Sequence, residues 1–105
     1  MIGFIGGGNM AEAMIKGIFG KRGRDIMVSE PRDERRAYLE YTYKINTTSD
    51  NKEVAKSCNI IILAVKPQNM DSVSAEISDA ISSDKIVVSI AAGITLSYLS
   101  LRLKT

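Results

Sequence analysis

Three consecutive glycines near the start of the chain are the residues best placed to bind a ligand. An apolar segment stops at Gly6, and a helical apolar pattern begins only a few residues later. Read as G-x-G-x-x-A, the segment places Gly6 at a tight turn, Gly8 where the backbone must approach a diphosphate, and Ala11 at a close helix–strand contact. The unpaired amides and positive dipole end of a helix N-terminus suit such an anion. The alternative interpretation is a flexible glycine-rich turn ahead of an ordinary helix.

A second group of charged side chains follows the next apolar segment. Glu30 lies 22 residues beyond Gly8, where an acidic side chain would accept hydrogen bonds from the ribose hydroxyls of NAD. A carboxylate there would repel the 2′-phosphate of NADP, whereas Arg32 and its neighbouring arginines would bind that phosphate. A further alternative is that Glu30 and these arginines only pair with one another on the surface. These residues alone leave the choice of cofactor open.

A third segment of interest follows the most apolar part of the chain, Ile60–Val65. Pro67 fixes its own φ and favours an extended conformation for Lys66, so the backbone from Ala64 onward should form a shaped wall. Lys66 is either a ligand-binding residue or an ordinary surface lysine at the end of a strand. The small residues 91–93, which follow the next apolar segment, are typical of a place where a ligand lies close to the backbone.

The elements that position these residues alternate between strand and helix. Short apolar segments predict five strands: Met1–Ile5, Ile26–Val28, Lys44–Asn46, Ile60–Val65 and Ile86–Ile90. This alternation, with right-handed crossovers, predicts a Rossmann-type, doubly wound α/β fold with a parallel sheet of order 3-2-1-4-5, lacking the usual sixth strand. The ligand crevice should lie at the carboxyl ends of the first and fourth strands, where the winding reverses.

The intervening helices are predicted from apolar spacing and from capping residues. The first should bury one face formed by Met10, Met14, Ile15, Ile18 and Phe19. The second spans Asp33–Tyr43. Asp50 should cap a short third helix, with Glu53 completing a capping box. Thr95 should cap a last helix near the end of the chain.

The composition is that of an ordinary globular domain. The 105 residues are 45% hydrophobic and 25% charged, which predicts one domain covering residues 1–105. A net charge of +2 is too small to indicate a nucleic-acid partner. One cysteine and no histidine exclude a disulfide framework, zinc-finger spacing and a Ser-His or Cys-His catalytic pair, and we expect no metal site. Cys58 is expected to be a small core residue.

The sequence also gives expectations about location and chemistry. No apolar run approaches the roughly 18 residues of a membrane span, so we expect no membrane partner. The first predicted strand begins at Met1, which leaves no room for a signal peptide, and a cytoplasmic location is expected. No residue is a convincing general acid or base, so no catalytic residue is assigned.

Three segments together resemble one known family. They lie at 2–10 (Ile-Gly-Phe-Ile-Gly-Gly-Gly-Asn-Met), 62–68 (Ile-Leu-Ala-Val-Lys-Pro-Gln) and 88–94 (Val-Ser-Ile-Ala-Ala-Gly-Ile). At matching spacings they look like the N-terminal dinucleotide-binding domain of pyrroline-5-carboxylate reductase. The resemblance implies reduction of the ring imine of pyrroline-5-carboxylate to proline, with NADPH or NADH as the hydride donor.

The resemblance also implies where the cofactor binds, with NADP favoured and NAD possible. The pyrophosphate would lie on Ile5, Gly6, Gly7, Gly8, Asn9 and Met10. The adenosine ribose would lie near Ser29 and Asn51, in the corner that also holds Glu30 and Arg32. The nicotinamide half would be flanked by Ala64, Val65, Lys66 and Pro67, and by Ile90, Ala91 and Ala92. Substrate binding and dimer formation belong to a later helical domain of the family that is expected to be absent here, so the isolated chain should be inactive and the full-length enzyme a homo-oligomer.

Two other interpretations remain open. A β-hydroxyacid dehydrogenase or an F420-dependent reductase could share the fold, although the Asn9-Met10 turn and the Ala-Val-Lys-Pro loop argue against both. A non-catalytic nucleotide-binding module is the other, because the chain offers no evident acid or base.

Overall fold

The computed structural model describes residues 1–17 and 25–89 of the 105-residue chain. Strands and helices alternate along this part, as the apolar pattern predicts. Their bounds are β1 Ile2–Ile5, α1 Asn9–Gly17, β2 Ile26–Ser29, α2 Asp33–Tyr43, β3 Asn46–Thr48, α3 Asn51–Ser57, β4 Ile60–Leu63, α4 Met70–Ile77 and β5 Ile86–Ser89. Short 3₁₀ segments, Pro67–Asn69 and Ser78–Ala80, flank α4.

The five strands form one parallel sheet in the order β3-β2-β1-β4-β5. This confirms the predicted doubly wound arrangement and strand order. In the register of the sheet, Ile5 lies opposite both Ser29 and Leu63, while Ser29 also lies opposite Thr48 and Leu63 opposite Ser89. Strands β1 to β4 therefore end at the same level, which the described part of β5 also reaches, and the residues that follow these four strands share one edge of the sheet.

Two apolar clusters, one on each face, hold the sheet between helices. One cluster joins the sheet to α1 and α2 and contains Ile2, Phe4, Ala11, Ile15, Ile26, Val28, Leu39, Ile45 and Ile62. The other joins it to α3 and α4 and contains Ile5, Val54, Ala55, Cys58, Ile61, Leu63, Met70, Val73 and Ile77. Cys58 is 1% exposed, which confirms its expected place in the core. Burial on both faces explains why the central strands β1, β2 and β4 are apolar at nearly every position, whereas the edge strand β3 is polar throughout.

The first helix differs from the prediction at its start. Ala11 and Ile15 are buried as expected, and Met14 is partly buried against the same cluster. Met10, however, is 48% exposed, so its assignment to the buried face is wrong. It lies in the first turn of α1, beyond the end of β1, and no strand among the described residues covers it. Ile18 and Phe19 lie outside the described residues.

Two predicted strands have different bounds in the structure. Lys44 adopts a left-handed conformation (φ 58°, ψ 39°) and its amide donates to the Glu40 carbonyl, so it ends α2 and β3 begins only at Asn46. The fourth strand ends at Leu63 rather than Val65. The amide of Ala64 still donates to the Ile5 carbonyl at 2.9 Å, but β1 turns away at the next residue and offers no further partner strand.

Asp50 caps α3 as predicted, but the capping box does not form. The Asp50 carboxylate accepts a hydrogen bond from the Lys52 amide at 3.0 Å. Glu53 instead accepts from the Thr48 hydroxyl at 2.6 Å, and that same hydroxyl accepts from the Asp50 amide at 3.1 Å. Thr48 therefore occupies the position in which Glu53 would have closed the box.

The described part of the chain ends with β5. The predicted extension of this strand to Ile90 and the last helix capped by Thr95 lie outside the described residues. Within residues 1–17 and 25–89, none of the helices combines the length and the apolar character needed to cross a membrane.

Candidate functional site

The tight turn after β1 is built around Gly6. Its φ is +103°, a conformation that L side chains rarely adopt, and a Cβ here would lie 2.4 Å from the carbonyl oxygen of Ala64. The Gly6 amide donates to the Ser29 carbonyl at 2.9 Å. Gly6 thus turns the chain out of the sheet while it stays bonded to β2 and pressed against the end of β4.

Gly8, unlike Gly6, has open space beside its Cα, because a Cβ at this position would meet nothing within 4 Å. The first helical hydrogen bond of α1 runs from the Glu12 amide to the Gly8 carbonyl at 3.0 Å. The amides of Asn9, Met10 and Ala11 precede that bond and have no acceptor within the helix. Open space beside a glycine, next to unpaired amides at a positive helix end, is a surface that fits a phosphate group.

Gly7 is packed against the second strand and helix. A Cβ on Gly7 would lie 3.1 Å from both Glu30 Cβ and Leu39 Cδ1. Its amide donates to Glu30 Oε1 at 3.0 Å. The three glycines therefore do three different things: Gly6 turns the chain, Gly7 packs inward and Gly8 faces open space.

Glu30 is buried at this corner, with 4% of the residue exposed. Besides the Gly7 amide, its carboxylate accepts hydrogen bonds from the Arg32 amide at 3.0 Å and from Arg32 Nε at 2.7 Å. Burial raises the pKa of Glu30, but the hydrogen bonds from Arg32 and Gly7 together outweigh it and hold the pKa below its ordinary value. Glu30 and Arg32 thus pair, as in the alternative left open by the sequence, but the carboxylate is buried while the Arg32 side chain is 57% exposed.

A network of charged and phenolic side chains fixes Gly7 from its other side. Arg35 Nε donates to the Gly7 carbonyl at 2.6 Å, and Arg35 Nη2 donates to Glu12 Oε1 at 2.7 Å. The other oxygen of Glu12 accepts from the Tyr38 hydroxyl and, at 2.6 Å, from the Tyr43 hydroxyl. The hydroxyl groups of Tyr38 and Tyr43 are the main cause of a pKa for Glu12 of about 2; burial opposes them by raising the pKa, and the hydrogen bond and charge of Arg35 lower it further. Glu12 is therefore ionised throughout the physiological pH range.

The predicted ribose residues also meet. The buried Ser29 hydroxyl donates to Asn51 Oδ1 at 2.6 Å, and Asn51 Nδ2 donates to Glu76 Oε1 at 2.9 Å. This chain of hydrogen bonds links β2 to α3 and α4 and fixes the orientation of the Asn51 amide. Arg36, in turn, donates to the backbone carbonyl of Glu30 at 2.6 Å and pairs with Asp33.

The segment after β4 lies beside the glycine turn. Lys66 has φ −66° and ψ 149°, the extended conformation that Pro67 was expected to impose, and both residues are exposed. Ala64 and Val65 lie against the turn, since a Cβ on Gly6 would approach both. Ile90, Ala91 and Ala92, the predicted residues on the neighbouring segment, lie outside the described part of the chain.

The structure thus brings together two groups of predicted residues, the glycine turn with Ala64 and Val65, and the corner of Ser29, Glu30, Arg32 and Asn51. The hydrogen bonds of Arg35 to Glu12 and to Gly7 were not predicted. One signal was available: Glu12 lies in the first turn of α1, directly behind the glycines, where the positive helix end favours an acidic side chain.

A parallel sheet of order 3-2-1-4-5, with a glycine turn leading from β1 into a helix N-terminus, is the arrangement of Rossmann-type dinucleotide-binding domains. Residues 1–93 match the model of the family described as "NADP oxidoreductase coenzyme F420-dependent", and the chain belongs to this family.

Individual relatives carry a more specific name. The pyrroline-5-carboxylate reductase of Synechocystis is 39% identical over 101 residues, which are 93% of this chain and 38% of that protein. The solved pyrroline-5-carboxylate reductase of Coxiella burnetii matches with a TM-score of 0.87 and 32% identity, over 99% of this chain and 40% of that one. The Plasmodium falciparum pyrroline carboxylate reductase, solved with NADP bound, matches with a TM-score of 0.79 and 28% identity, over 97% and 37%.

These matches confirm the resemblance predicted from the three sequence segments. The chain spans roughly two fifths of the length of these relatives, and it aligns with their N-terminal part. The family description also contains the F420-dependent class, which was one of the two alternatives left open by the sequence.

Proposed function

We propose that this chain is the cofactor-binding part of a pyrroline-5-carboxylate reductase and that it binds NADP(H), with NAD(H) as a possible second cofactor. The observation that carries the proposal is the open space at Gly8 beside the unpaired amides of α1. The 39% identity to the Synechocystis enzyme and the NADP bound to the Plasmodium enzyme support the choice of enzyme and cofactor. Residues 1–105 then form one dinucleotide-binding domain.

The pyrophosphate would be held by Gly6, Gly7, Gly8, Asn9 and Met10, next to Ile5. Only backbone approaches the ligand here, so the glycines are needed for access and the helix dipole for charge. Ser29 and Asn51 would contact the adenosine ribose. Their mutual hydrogen bond leaves the hydroxyl oxygen of Ser29 and one amide hydrogen of Asn51 for a ligand.

The ribose corner holds both charges that decide between the two cofactors. The buried carboxylate of Glu30 disfavours a 2′-phosphate through like-charge repulsion. Arg32, whose side chain is 57% exposed, lies on the solvent side of the same carboxylate and can donate to a phosphate. The repelling carboxylate and the attracting guanidinium are the two partners of one salt bridge. Binding of NADP therefore requires Arg32 to share its N–H groups between Glu30 and the 2′-phosphate.

The segments Ala64–Pro67 and Ile90–Ala92 would flank the nicotinamide, the first of which follows β4 in an extended conformation. The cofactor, when bound, supplies a hydride for the imine carbon of the substrate. The residues of this chain bind and orient it, and no catalytic residue is assigned among them. We further propose a cytoplasmic location and a homo-oligomeric full-length enzyme whose substrate is the small molecule pyrroline-5-carboxylate.

A chimaeric enzyme tests this function directly. The 105-residue chain would replace the aligned N-terminal part of the Synechocystis enzyme, and oxidation of NADPH would be followed after addition of pyrroline-5-carboxylate. We expect substrate-dependent oxidation by the chimaera and none by its Gly8→Val variant. A folded chimaera that binds NADPH but never oxidises it with this substrate would contradict the proposed reaction.

The F420-dependent class is a second candidate because the family description names it. It predicts reduction of NADP⁺ by reduced F420, a reaction that involves no imine. Because this chimaera takes its substrate domain from a pyrroline-5-carboxylate reductase, a second chimaera with the C-terminal part of an F420-dependent relative is needed, and the turnover of the two chimaeras and of the isolated chain separates the candidates. Turnover with reduced F420 alone would favour the second.

A further inference from the structure

The peptide group between Gly7 and Gly8 is held from one side only. Its carbonyl oxygen, on Gly7, accepts a hydrogen bond from Arg35 Nε at 2.6 Å. The peptide bonds of the described residues are all trans, so the Gly8 N–H of this planar group points opposite to the Gly7 carbonyl. The Gly8 amide must therefore point away from α2, and a Cβ on Gly8 would meet open space.

We infer that Arg35 is a positioning residue that aims the Gly8 amide at the pyrophosphate, and that Glu12 holds Arg35 in place. This inference rests on the proposed function, because it takes the space at Gly8 to be a cofactor site. A positively charged donor on the carbonyl also polarises the peptide group, which makes the Gly8 N–H a stronger donor. Arg35 thus acts on the ligand through one peptide group, without touching it.

The surroundings of Arg35 fix this geometry. Its side chain is 18% exposed and uses two different nitrogens, Nε for Gly7 and Nη2 for Glu12. Glu12 belongs to α1, the helix that begins at the turn, so a shift of Arg35 would move both the turn and the helix start. On the other side of the turn, the Gly7 amide donates to Glu30. Gly7 is therefore bonded at both of its polar atoms, and the next amide is the first one left for a ligand.

Arg35→Gln tests this role in the 105-residue chain by titration with NADPH and with NADH. We expect both dissociation constants to rise by about tenfold, with their ratio unchanged within about twofold, because the Gly8 amide contacts a group common to both cofactors. Tyr43→Phe is the matched control, since it removes a hydrogen bond to the same Glu12 carboxylate while it leaves the Arg35–Gly7 bond in place. Tyr43→Phe should lower the stability of the fold without lowering the affinity for either cofactor.

A second measurement needs no cofactor. The ¹⁵N resonance of the Gly8 amide reports whether the Gly7 carbonyl still accepts a hydrogen bond, and it should move in Arg35→Gln but not in Tyr43→Phe. Arg35→Lys keeps the charge but offers one nitrogen in place of the two, Nε and Nη2, that bond Gly7 and Glu12. We therefore expect an intermediate shift of the Gly8 resonance and an intermediate affinity for the cofactors. This variant also serves if Arg35→Gln does not fold.

The outcomes separate the two proposals. If the parent chain binds neither cofactor, the proposed function fails and the inference falls with it. If the parent binds but Arg35→Gln and Arg35→Lys bind equally well, only the inference is wrong. Equal loss of affinity in Tyr43→Phe and Arg35→Gln would mean that affinity follows overall stability, and this too would overturn a positioning role.

Discussion

Replacing Gly8 by valine should abolish cofactor binding while the fold survives. The structure gives room for the side chain, because a Cβ at Gly8 meets no heavy atom within 4 Å and Gly8 does not have a positive φ. Valine is a poorer residue than glycine at a helix N-terminus, which costs about 0.5–1 kcal/mol. For a domain of this size, that corresponds to a fall in Tm of roughly 2–8 °C.

The loss of binding should be much larger than the loss of stability. The branched side chain would fill the space that a phosphate needs in order to reach the amides that open α1. Losing two charge-assisted hydrogen bonds at about 1.5–3 kcal/mol each amounts to about 3–6 kcal/mol, or a rise in Kd of at least a hundredfold. Fluorescence titration with NADPH measures the affinity, and circular dichroism with thermal melting measures the fold.

Gly3→Ala provides the opposite control. Its Cβ would lie 2.4 Å from Val54 Cγ1 and 2.6 Å from Cys58 Sγ, inside the core on the face away from α1. Overpacking of this kind costs about 1–3 kcal/mol, so Tm should fall more than in the valine variant while the affinity of the folded protein for NADPH stays the same. If Gly8→Val binds NADPH within about threefold of the parent chain, the pyrophosphate does not lie at this turn.

Three further predictions concern charge and activity. Glu30→Gln should improve binding of NADP relative to NAD and Arg32→Ala should do the reverse, each by several-fold to about tenfold at low salt; unchanged ratios of the two dissociation constants in both variants would remove this corner from cofactor selection. Because the pKa of Glu12 falls from 4.5 to about 2 on folding, the stability it contributes is fully present above about pH 5 and is lost as the pH falls toward 2. The difference in unfolding free energy between the parent and Glu12→Gln should therefore shrink as the pH is lowered from about 5 toward 2, as urea titration would measure; a constant difference would contradict the assigned network. Finally, the isolated chain should form no proline from pyrroline-5-carboxylate and NADPH, and sustained oxidation of NADPH by pure protein would show that the chain needs no further domain.

The sheet and the glycine turn could be predicted because their causes are local. A run such as Ile60–Leu63, apolar at every position, is stable only where both faces are covered, and this requirement defines a central parallel strand. The conformation of Gly6 likewise follows from its place between a strand and a helix. Strand ends were less predictable: β3 begins late because Lys44 takes the left-handed conformation at the end of α2, a position that more commonly belongs to glycine.

The contacts around Gly7 could not be read from the sequence, because their partners are far apart along the chain. Arg35 and Gly7 are separated by 28 residues, and Arg35 and Glu12 by 23. Each residue alone is typical of a solvated helix face. Only the packing of α1 beside α2 brings the carboxylate, the guanidinium and the turn within hydrogen-bond distance, and helix packing depends on the whole apolar cluster beneath them.

The burial of Glu30 also decides how its role in cofactor selection can be measured. Removing the carboxylate altogether, as in Glu30→Ala, would leave the Gly7 amide without its acceptor and cost about 1–3 kcal/mol of stability. Such a variant would disturb the glycine turn and lower the affinity for both cofactors, which would mask any effect of the charge on cofactor selection. Glutamine keeps an oxygen for the Gly7 amide and removes the charge, but its NH2 group replaces the oxygen that accepts from the Arg32 amide and Nε. A change in cofactor ratio in Glu30→Gln therefore reports the loss of the whole Glu30–Arg32 salt bridge at the 2′ position. Because Gly7 is bonded to Glu30 and to Arg35, the turn and the ribose corner form one structural unit, and substitutions in either must be compared for both cofactors.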